Sequence, residues 1–271
     1  MEFVTVDDID IPALGFGTWL MEGADCHDGV AHALSIGYRH IDTAQIYDNE
    51  DQVGCAIDES SVARDDIFLT TKVWRSNVAA DDVAPSVEES LRKLRTDYVD
   101  LLLIHWPSDT VDHDETLRAL QKLKDAGKTR LIGVSNFTPA MVREALQVTD
   151  IACNQVEYHP FLGQPDLLEL ARANDMMLTA YSPLARGRVI DDPTLIDIGD
   201  RYDKSPAQIA LRWLTQQQCV SAIPKASTPA HREANFQIFD FQLDSDEMQR
   251  IHDLDAKQRI LDPDFAPDWE R

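Results

Sequence analysis

Eight short apolar runs recur along the chain, and stretches with helical spacing separate them. Val83, Val87 and Leu91, for example, follow one another at four-residue intervals, which is typical of an amphipathic helix. Strands that alternate with helices pair in parallel through right-handed crossovers. The pattern therefore predicts a (β/α)8 TIM barrel in which residues 1–271 form a single domain. The eight runs are residues 13–16, 38–41, 67–72, 99–105, 131–135, 152–156, 177–181 and 220–223.

Further segments flank or interrupt the predicted barrel. Residues 3–12 alternate apolar and polar side chains around Asp7 and Asp8, which predicts an amino-terminal β-hairpin. Residues 191–202 have little periodicity and are predicted to form a mobile connection after the seventh strand. The pattern of residues 244–254 predicts an extra helix, and the last segment, 259–271, with three Asp and two Pro, predicts an irregular tail.

The formal net charge of −23, from 25 basic and 48 acidic residues, restricts the possible partners. A charge of this sign disfavours attraction to nucleic acid or to an anionic membrane. The acidic residues are dispersed, and only 8 of the 25 basic residues are Lys. Such a surface fits a halophilic host, because at 1 M salt screening over about 3 Å removes the self-repulsion. The alternative is an acidic protein from an ordinary host.

The four cysteines, Cys26, Cys55, Cys153 and Cys219, are widely spaced and form no C-x-x-C motif. They are therefore expected to be reduced thiols in a cytoplasmic protein, not a disulfide or zinc framework. The first residues show no charged-then-apolar leader, and no apolar run reaches membrane-spanning length. We expect a monomeric cytoplasmic protein.

Four polar side chains stand at or after the ends of predicted strands. Asp42 and Tyr47 follow the second run, Lys72 ends the third and His105 ends the fourth. Barrel enzymes carry their active sites at the carboxyl ends of the strands. A tyrosine with its usual pKa of about 10 is a weak acid, but a neighbouring ammonium lowers that pKa and a carboxylate can hold the ammonium. Taken alone, Asp42 could instead cap a loop, and His105 could be a core histidine.

These residues lie in motifs that resemble those of the aldo-keto reductases, in family order over nearly the whole chain. The resemblance implies that Tyr47 donates a proton to a carbonyl oxygen and that Lys72 tunes its acidity. It also implies that Asp42 holds Lys72 and that His105 orients the carbonyl. The motifs are Gly15-Phe-Gly-Thr-Trp19, residues 37–57, Thr71-Lys-Val-Trp74, Ile104-His-Trp-Pro107, Gly133-Val-Ser-Asn-Phe137, Asn154-Gln-Val-Glu-Tyr-His-Pro160, Tyr181-Ser-Pro-Leu184 and Ile223-Pro-Lys225.

The coenzyme site is not of the Rossmann type, because no G-x-G-x-x-G follows the first strand. The resemblance implies a nicotinamide coenzyme in the barrel mouth, with its carboxamide held by Ser135, Asn136 and Gln155. Tyr181 would stack on the nicotinamide ring. Alternatively, the Ser-Asn pair could cap a helix and the tyrosine could belong to the core. Further predicted coenzyme residues are Gly17, Thr18, Ser182, Leu184, Lys225, His231 and Asn235.

The adenosine end of the predicted site departs from the NADPH pattern of the family. Lys225 and Asn235 are retained. Ala226, His231 and Ala234 replace the Ser, Arg and Glu of that pattern. A neutral imidazole cannot replace a guanidinium that is always charged and binds phosphate with two hydrogen bonds. We therefore expect NADPH as the coenzyme, with tolerance of NADH. Residues that could compensate are Ser227, Thr228 and Arg232.

Three tryptophans, Trp19, Trp74 and Trp106, stand beside motifs at strand ends and are predicted to wall a substrate pocket. Core packing is the alternative. The loop of residues 106–112 is short, as in the compact microbial branch of the family that includes diketogluconate and glyoxal-type reductases. The substrates expected from this resemblance are small aldehydes, ketones or α-dicarbonyls.

Two other functions compete with a reductase. A cofactor-binding regulatory subunit, similar to the potassium-channel β-subunit branch, would show little turnover, whereas the four retained polar residues favour an enzyme. A barrel hydrolase would need a metal cluster or paired carboxylates, and Glu157 is the only other acid at a strand end. His159 has no partner at ligand spacing, so we predict no metal ion.

Overall fold

The computed structural model describes residues 1–269 and contains the predicted barrel. The strands are β1 (Phe3–Val6), β2 (Ile9–Pro12), β3 (Phe16–Gly17), β4 (His40–Asp42), β5 (Phe68–Val73), β6 (Val99–Ile104), β7 (Thr129–Ser135), β8 (Cys153–Glu157), β9 (Met177–Tyr181) and β10 (Val220–Ala222). Strands β3 to β10 form one parallel sheet in chain order. Leu14 forms a parallel bridge with Ala222, which joins the two edge strands and closes the barrel.

Helices connect the strands on the outside of the barrel. They are α1 (Gly23–Ser35), α2 (Glu50–Asp58), α3 (Ala80–Leu94), α4 (His113–Asp125), α5 (Pro139–Ala145), α6 (Pro165–Ala173), α7 (Pro193–Tyr202), α8 (Pro206–Thr215), α9 (Pro229–Phe236) and α10 (Ser245–His252), with 3-10 turns at Gln45–Tyr47, Arg64–Asp66, Arg75–Asn77 and Ala185–Asp191. Within residues 1–269, none of these helices combines the length and the apolar character needed to span a membrane.

Several helices follow directly from sequence signals. Helix α3 buries the apolar stripe that includes Val83, Val87 and Leu91. Thr138 and Ser205 each precede a first-turn proline, and their side chains accept backbone hydrogen bonds at the starts of α5 and α8. Such caps satisfy donors that the first turn of a helix leaves unpaired.

The prediction of a mobile connection at residues 191–202 is wrong. Helix α7 occupies this segment, and the Asp192 side chain caps it by accepting from the backbone amides of Thr194 and Leu195. Leu195 and Ile198 are completely buried. Two apolar residues three positions apart are a weak periodic signal, so the Asp-Pro start was the stronger evidence for a helix.

The predicted hairpin is confirmed, because β1 pairs antiparallel with β2. Its residues Val4, Val6 and Ile11 share an apolar cluster with barrel residues near the starts of several strands, among them Phe68 and Met177. The hairpin therefore packs at the end of the barrel opposite the strand ends that carry the predicted site. The hairpin, the barrel and the carboxyl-terminal segments pack together, as expected for one domain. That this domain extends over residues 1–271 stays a prediction.

Candidate active site

The four residues predicted to carry the chemistry form one cluster at the carboxyl ends of β4, β5 and β6. The Lys72 ammonium nitrogen lies 2.6 Å from an Asp42 carboxylate oxygen. It also donates to the Thr43 carbonyl oxygen at 2.8 Å and to the Tyr47 hydroxyl at 3.3 Å. The Tyr47 ring meets the His105 ring edge-on, with centroids 5.6 Å apart. The chain thus places an ion pair, a phenol and an imidazole side by side.

Burial makes the Lys72–Asp42 pair a strong constraint on this part of the barrel. The two residues are 0% and 1% exposed. Burial lowers the pKa of Lys72, and the Asp42 carboxylate opposes that shift. The second Asp42 oxygen accepts from the Gln155 amide at 2.8 Å. Removal of either partner would leave an unpaired buried charge, which is strongly destabilising.

A hydrogen-bonded loop positions Tyr47. Thr43 donates to the Asn49 side-chain oxygen at 2.7 Å, and the Asn49 amide donates to the Thr18 carbonyl oxygen at 2.9 Å. The Thr18 hydroxyl in turn donates to the Asp42 carbonyl oxygen at 3.0 Å. Thr18 therefore supports the strand end and does not line the cavity. The role of Asn49 was not predicted, because a single polar loop residue gives no sequence signal of burial.

The protonation of the site differs from the sequence expectation. Burial raises the pKa of Tyr47 well above its usual value, and the Asp42 carboxylate adds to the rise. The sequence predicts the opposite, namely that the Lys72 ammonium lowers that pKa. The Asp42 charge balances the ammonium, so the phenol experiences little net positive field. Burial, aided by Lys72, holds the pKa of His105 well below its usual value. The resting cluster therefore contains a protonated phenol and a neutral imidazole.

The residues predicted to hold the nicotinamide are linked to this cluster. The Asn136 amide donates to the His105 carbonyl oxygen and to the Ser135 hydroxyl, both at 3.0 Å. The Tyr181 hydroxyl donates to the Asn136 side-chain oxygen at 2.8 Å. Ser135 donates to the Gln155 carbonyl oxygen at 2.8 Å. Asn136 has a left-handed φ of 63°, which Asn adopts more readily than most residues.

A cavity of about 610 Å³ lies over the cluster. Its volume lies in the range of small-molecule and cofactor sites. Predicted site residues that line it are Gly17, Trp19, Asp42, Tyr47, Trp74, His105, Trp106, Asn136, Gln155, Tyr181, Ser182, Leu184 and Lys225. Arg186 and Gly187 also line the cavity, and the family resemblance implies that their turn lies along the coenzyme pyrophosphate. The carboxyl-terminal tail contributes Leu261, Pro263 and Phe265. Lining residues that were not predicted to bind a ligand are Leu20, Ile46, Pro183, Ile223 and Pro224.

Aromatic side chains form much of the cavity wall. Phe265 meets Trp74 and Trp106 edge-on, with ring centroids 5.9 and 5.4 Å apart. Trp106 is only 3% exposed, so it both lines the cavity and packs in the fold. Trp19 is 37% exposed, and the Arg186 guanidinium lies 5.0 Å from the centre of its ring. These rigid apolar faces favour a ligand with few polar groups.

Glu157 attaches the carboxyl-terminal tail to the barrel. Its buried carboxylate accepts from the backbone amides of Ile260 and Leu261 at 2.7 and 2.8 Å. The His159 ring nitrogen lies 2.9 Å from the same carboxylate. This attachment brings Phe265 to the cavity, so the tail leans over the barrel mouth. Residues 270 and 271 of the predicted tail lie outside the described part of the chain.

The predicted adenosine end lies on the loop after β10 and on α9. Lys225 lines the cavity, and its ammonium donates to the Ser227 hydroxyl at 2.7 Å. His231 is exposed at the start of α9, and Asn235 is buried in the same helix. Neither His231 nor Asn235 lines the cavity.

Arg232 is already engaged in the fold. Its guanidinium donates to the Ala226 and Ser227 carbonyl oxygens at 3.1 and 3.2 Å. Its Nε atom also donates to the His32 ring at 3.1 Å. Because Arg232 is 5% exposed, it is poorly placed to replace the missing phosphate-binding arginine.

The sequence profile of the Aldo/keto reductase family matches residues 13–256. The chain belongs to the aldo/keto reductase family. It is 41% identical over 266 residues to methylglyoxal reductase DkgB of Escherichia coli O157:H7, covering 96% of this chain and 99% of the relative. It is 40% identical over 255 residues to glyoxal reductase of Bacillus subtilis, covering 93% of this chain and 92% of the relative.

Solved structures agree with this membership. A crystal structure provisionally named 2,5-diketo-D-gluconic acid reductase B superimposes with a TM-score of 0.97 at 49% identity, covering 99% of this chain and 97% of that one. An aldo/keto reductase from Brucella melitensis gives a TM-score of 0.88 at 43% identity, covering 93% of this chain and 99% of that one. This aldo/keto reductase is therefore an oxidoreductase that reduces carbonyls with a nicotinamide coenzyme.

Replacing Glu157 by Gln should loosen the tail, because the two backbone amides lose a charged acceptor. Hydrogen bonds to charged groups contribute about 1.5–3 kcal/mol, so we expect KM for glyoxal to rise at least about tenfold. Coenzyme affinity should change little. Steady-state kinetics and coenzyme fluorescence titration measure the two effects. Glu169→Gln, at an exposed position of α6, is the matched control. Unchanged kinetics in Glu157→Gln would contradict the proposed role of the attachment.

Proposed function

We propose that this chain reduces small aldehydes, ketones or α-dicarbonyls and that Tyr47 gives the proton to the carbonyl oxygen. The observation that carries the proposal is the 3.3 Å contact between the Tyr47 hydroxyl and the Lys72 ammonium, at the floor of the cavity. The phenol is protonated at rest, so it can act as a donor. After the transfer, the hydrogen bond that Lys72 donates to the Tyr47 oxygen stabilises the phenolate.

His105 and Asp42 assist the proton transfer proposed for Tyr47. The neutral His105 imidazole lines the cavity beside Tyr47 and can hydrogen-bond the substrate oxygen, which orients the carbonyl toward the phenol. Asp42 keeps the Lys72 ammonium in place. The nicotinamide coenzyme, when bound, supplies the hydride.

Several polar residues and one glycine of the cavity wall are suited to bind a nicotinamide coenzyme. A Cβ atom on Gly17 would lie 2.8 Å from the Ile223 carbonyl oxygen, so glycine at this position allows the two cavity-lining backbone segments to approach each other closely. We propose that Ser135, Asn136 and Gln155 hold the nicotinamide carboxamide and that the Tyr181 ring stacks on it. Residues proposed to contact the rest of the coenzyme are Ser182, Leu184 and Lys225 in the cavity wall and His231 and Asn235 on α9, whereas Thr18 supports the strand end beneath it.

Lys225 supports NADPH as the preferred coenzyme. It is an exposed cation at the edge of the cavity, suited to a phosphate group. Arg232 is engaged with backbone carbonyls, so the position of the missing arginine is left to His231, with Ser227 and Thr228 nearby. Tolerance of NADH follows from this weakened phosphate site.

The aromatic wall and the named relatives support the substrate class. The names methylglyoxal reductase and glyoxal reductase both refer to small dicarbonyl substrates. The similarity to each of these relatives extends over nearly the whole chain. Trp74, Trp106 and Phe265 leave an apolar pocket that suits compact substrates. The intact proton-donor cluster favours this activity over a regulatory coenzyme-binding role.

The net charge supports a second part of the proposal, namely that the protein is adapted to high salt and acts as a cytoplasmic monomer. The charge of −23 is spread over the chain. Four unpaired cysteines fit a reducing compartment.

Replacing Tyr47 by Phe should remove the proton donor without changing the shape of the cavity. We expect kcat with glyoxal and NADPH to fall by about 10²–10⁴-fold, the usual contribution of a positioned acid. Coenzyme binding, measured by fluorescence titration, should persist. Tyr98→Phe, whose hydroxyl contacts Asp65, is the control and should remain active. Full activity in Tyr47→Phe would assign the proton to another group.

For the coenzyme, we expect the catalytic efficiency with NADH to lie within about 1000-fold of that with NADPH. His231→Arg should raise the preference for NADPH about tenfold, because a guanidinium adds charge-assisted hydrogen bonds to phosphate. His231→Gln is the matched control and should leave the ratio nearly unchanged. Initial rates with both coenzymes test this, and strict NADPH use by the wild type would refute it.

The thermal midpoint should rise by about 5–10 °C between dilute buffer and about 2 M KCl, since screening relieves charge repulsion. A variant in which Asp8, Asp150 and Asp200 become Asn has a net charge of −23 + 3 = −20 and should show a smaller rise. Calorimetry measures both midpoints. A wild-type midpoint that is constant or falls with KCl would argue against halophilic adaptation.

A further inference from the structure

Three metal-ligating side chains meet on the outer helices, and none of them lines the barrel-mouth cavity. His27 belongs to α1, Cys55 belongs to α2 and Glu59 ends α2 as its C-cap residue. One potential ligand atom from each residue lies within 4.8 Å of the other two. In the described part of the chain, no other group of three such residues meets this condition.

The local geometry prepares these side chains to converge. Cys55 and Glu59 are four residues apart, so they share one face at the end of α2. The Cys55 sulfur lies 3.1 Å from one Glu59 oxygen, and the His27 Nε2 atom lies 3.1 Å from the other. The His27 Nδ1 atom lies 2.9 Å from an Asp28 oxygen. A carboxylate on one ring nitrogen commonly orients a histidine whose other nitrogen binds a metal.

We propose that His27, Cys55 and Glu59 bind one Zn²⁺ ion that joins α1 to α2. One nitrogen, one sulfur and one carboxylate oxygen form a ligand set that suits zinc and does not suit Mg²⁺ or Ca²⁺, which prefer oxygen alone. Water completes a tetrahedral site. Asp28 acts as a positioning residue through His27.

Metal binding at this site should depend on pH. Zinc binds a thiolate and a neutral imidazole, so binding should release protons and strengthen as pH rises. The other charged neighbours are Arg95 and Asp58, which lie 3.3 Å apart and form an ion pair with each other.

Titration of the chelator-treated full-length chain with Co²⁺ tests the site, because a thiolate ligand gives an intense near-ultraviolet charge-transfer band. We expect one Co²⁺ per chain, loss of the band on addition of Zn²⁺, and tighter binding at higher pH. Cys55→Ser should abolish the band, and His27→Ala should weaken Zn²⁺ binding at least about tenfold. Asp28→Asn should weaken it about tenfold without removing the band.

The matched control is Cys219→Ser, a partly buried cysteine far from α1 and α2 in sequence. Its metal binding should equal that of the wild type. Circular dichroism without metal checks that every variant is folded. Absence of the band in the wild type, its persistence in Cys55→Ser, or affinity that is only millimolar would each overturn the proposal. These outcomes are independent of carbonyl reduction, because none of the substituted residues belongs to the proposed active site.

Discussion

The buried ion pair of Lys72 and Asp42 is the interaction on which the polar centre of this barrel depends. An ammonium without a partner at that position would cost several kcal/mol, and the neighbouring strand supplies the opposite charge. The register of β4 against β5 pairs Asp42 with Thr70, two residues before Lys72 on the same strand. Burial, together with the Asp42 charge, keeps the proton on the adjacent Tyr47. Strand pairing therefore sets both the stability and the chemistry of the site.

The same pair begins a hydrogen-bonded network that crosses the barrel. Gln155 connects Asp42 to Ser135, and Asn136 connects His105 to Tyr181. Successive strand ends thus share donors and acceptors, which satisfies polar groups that would otherwise be costly to bury. Hydrogen bonds connect the residues proposed for proton transfer with those proposed for coenzyme binding. Movement of one strand end would therefore displace side chains at the others.

Much of this arrangement could be predicted from the sequence, because strand ends are marked by short apolar runs followed by polar residues. Asp42, Lys72 and His105 were placed in this way. Tertiary structure explains what was missed. Burial and the Asp42 charge raise the Tyr47 pKa where the sequence predicts a lower value, and packing stabilises α7 despite its weak periodicity. The tail attachment by Glu157 joins residues about a hundred positions apart, which no local pattern can indicate.

Because of that attachment, the cavity is built from two separate parts of the chain, and the sequence of one part can change without a change in the other. Strand ends supply the floor of the cavity, while Phe265 and its neighbours supply part of its roof from a segment that two backbone hydrogen bonds hold in place. Substitutions in the final dozen residues could reshape the roof without moving a single barrel strand. Selection could thereby retune which molecules are accepted while the reaction centre stays intact.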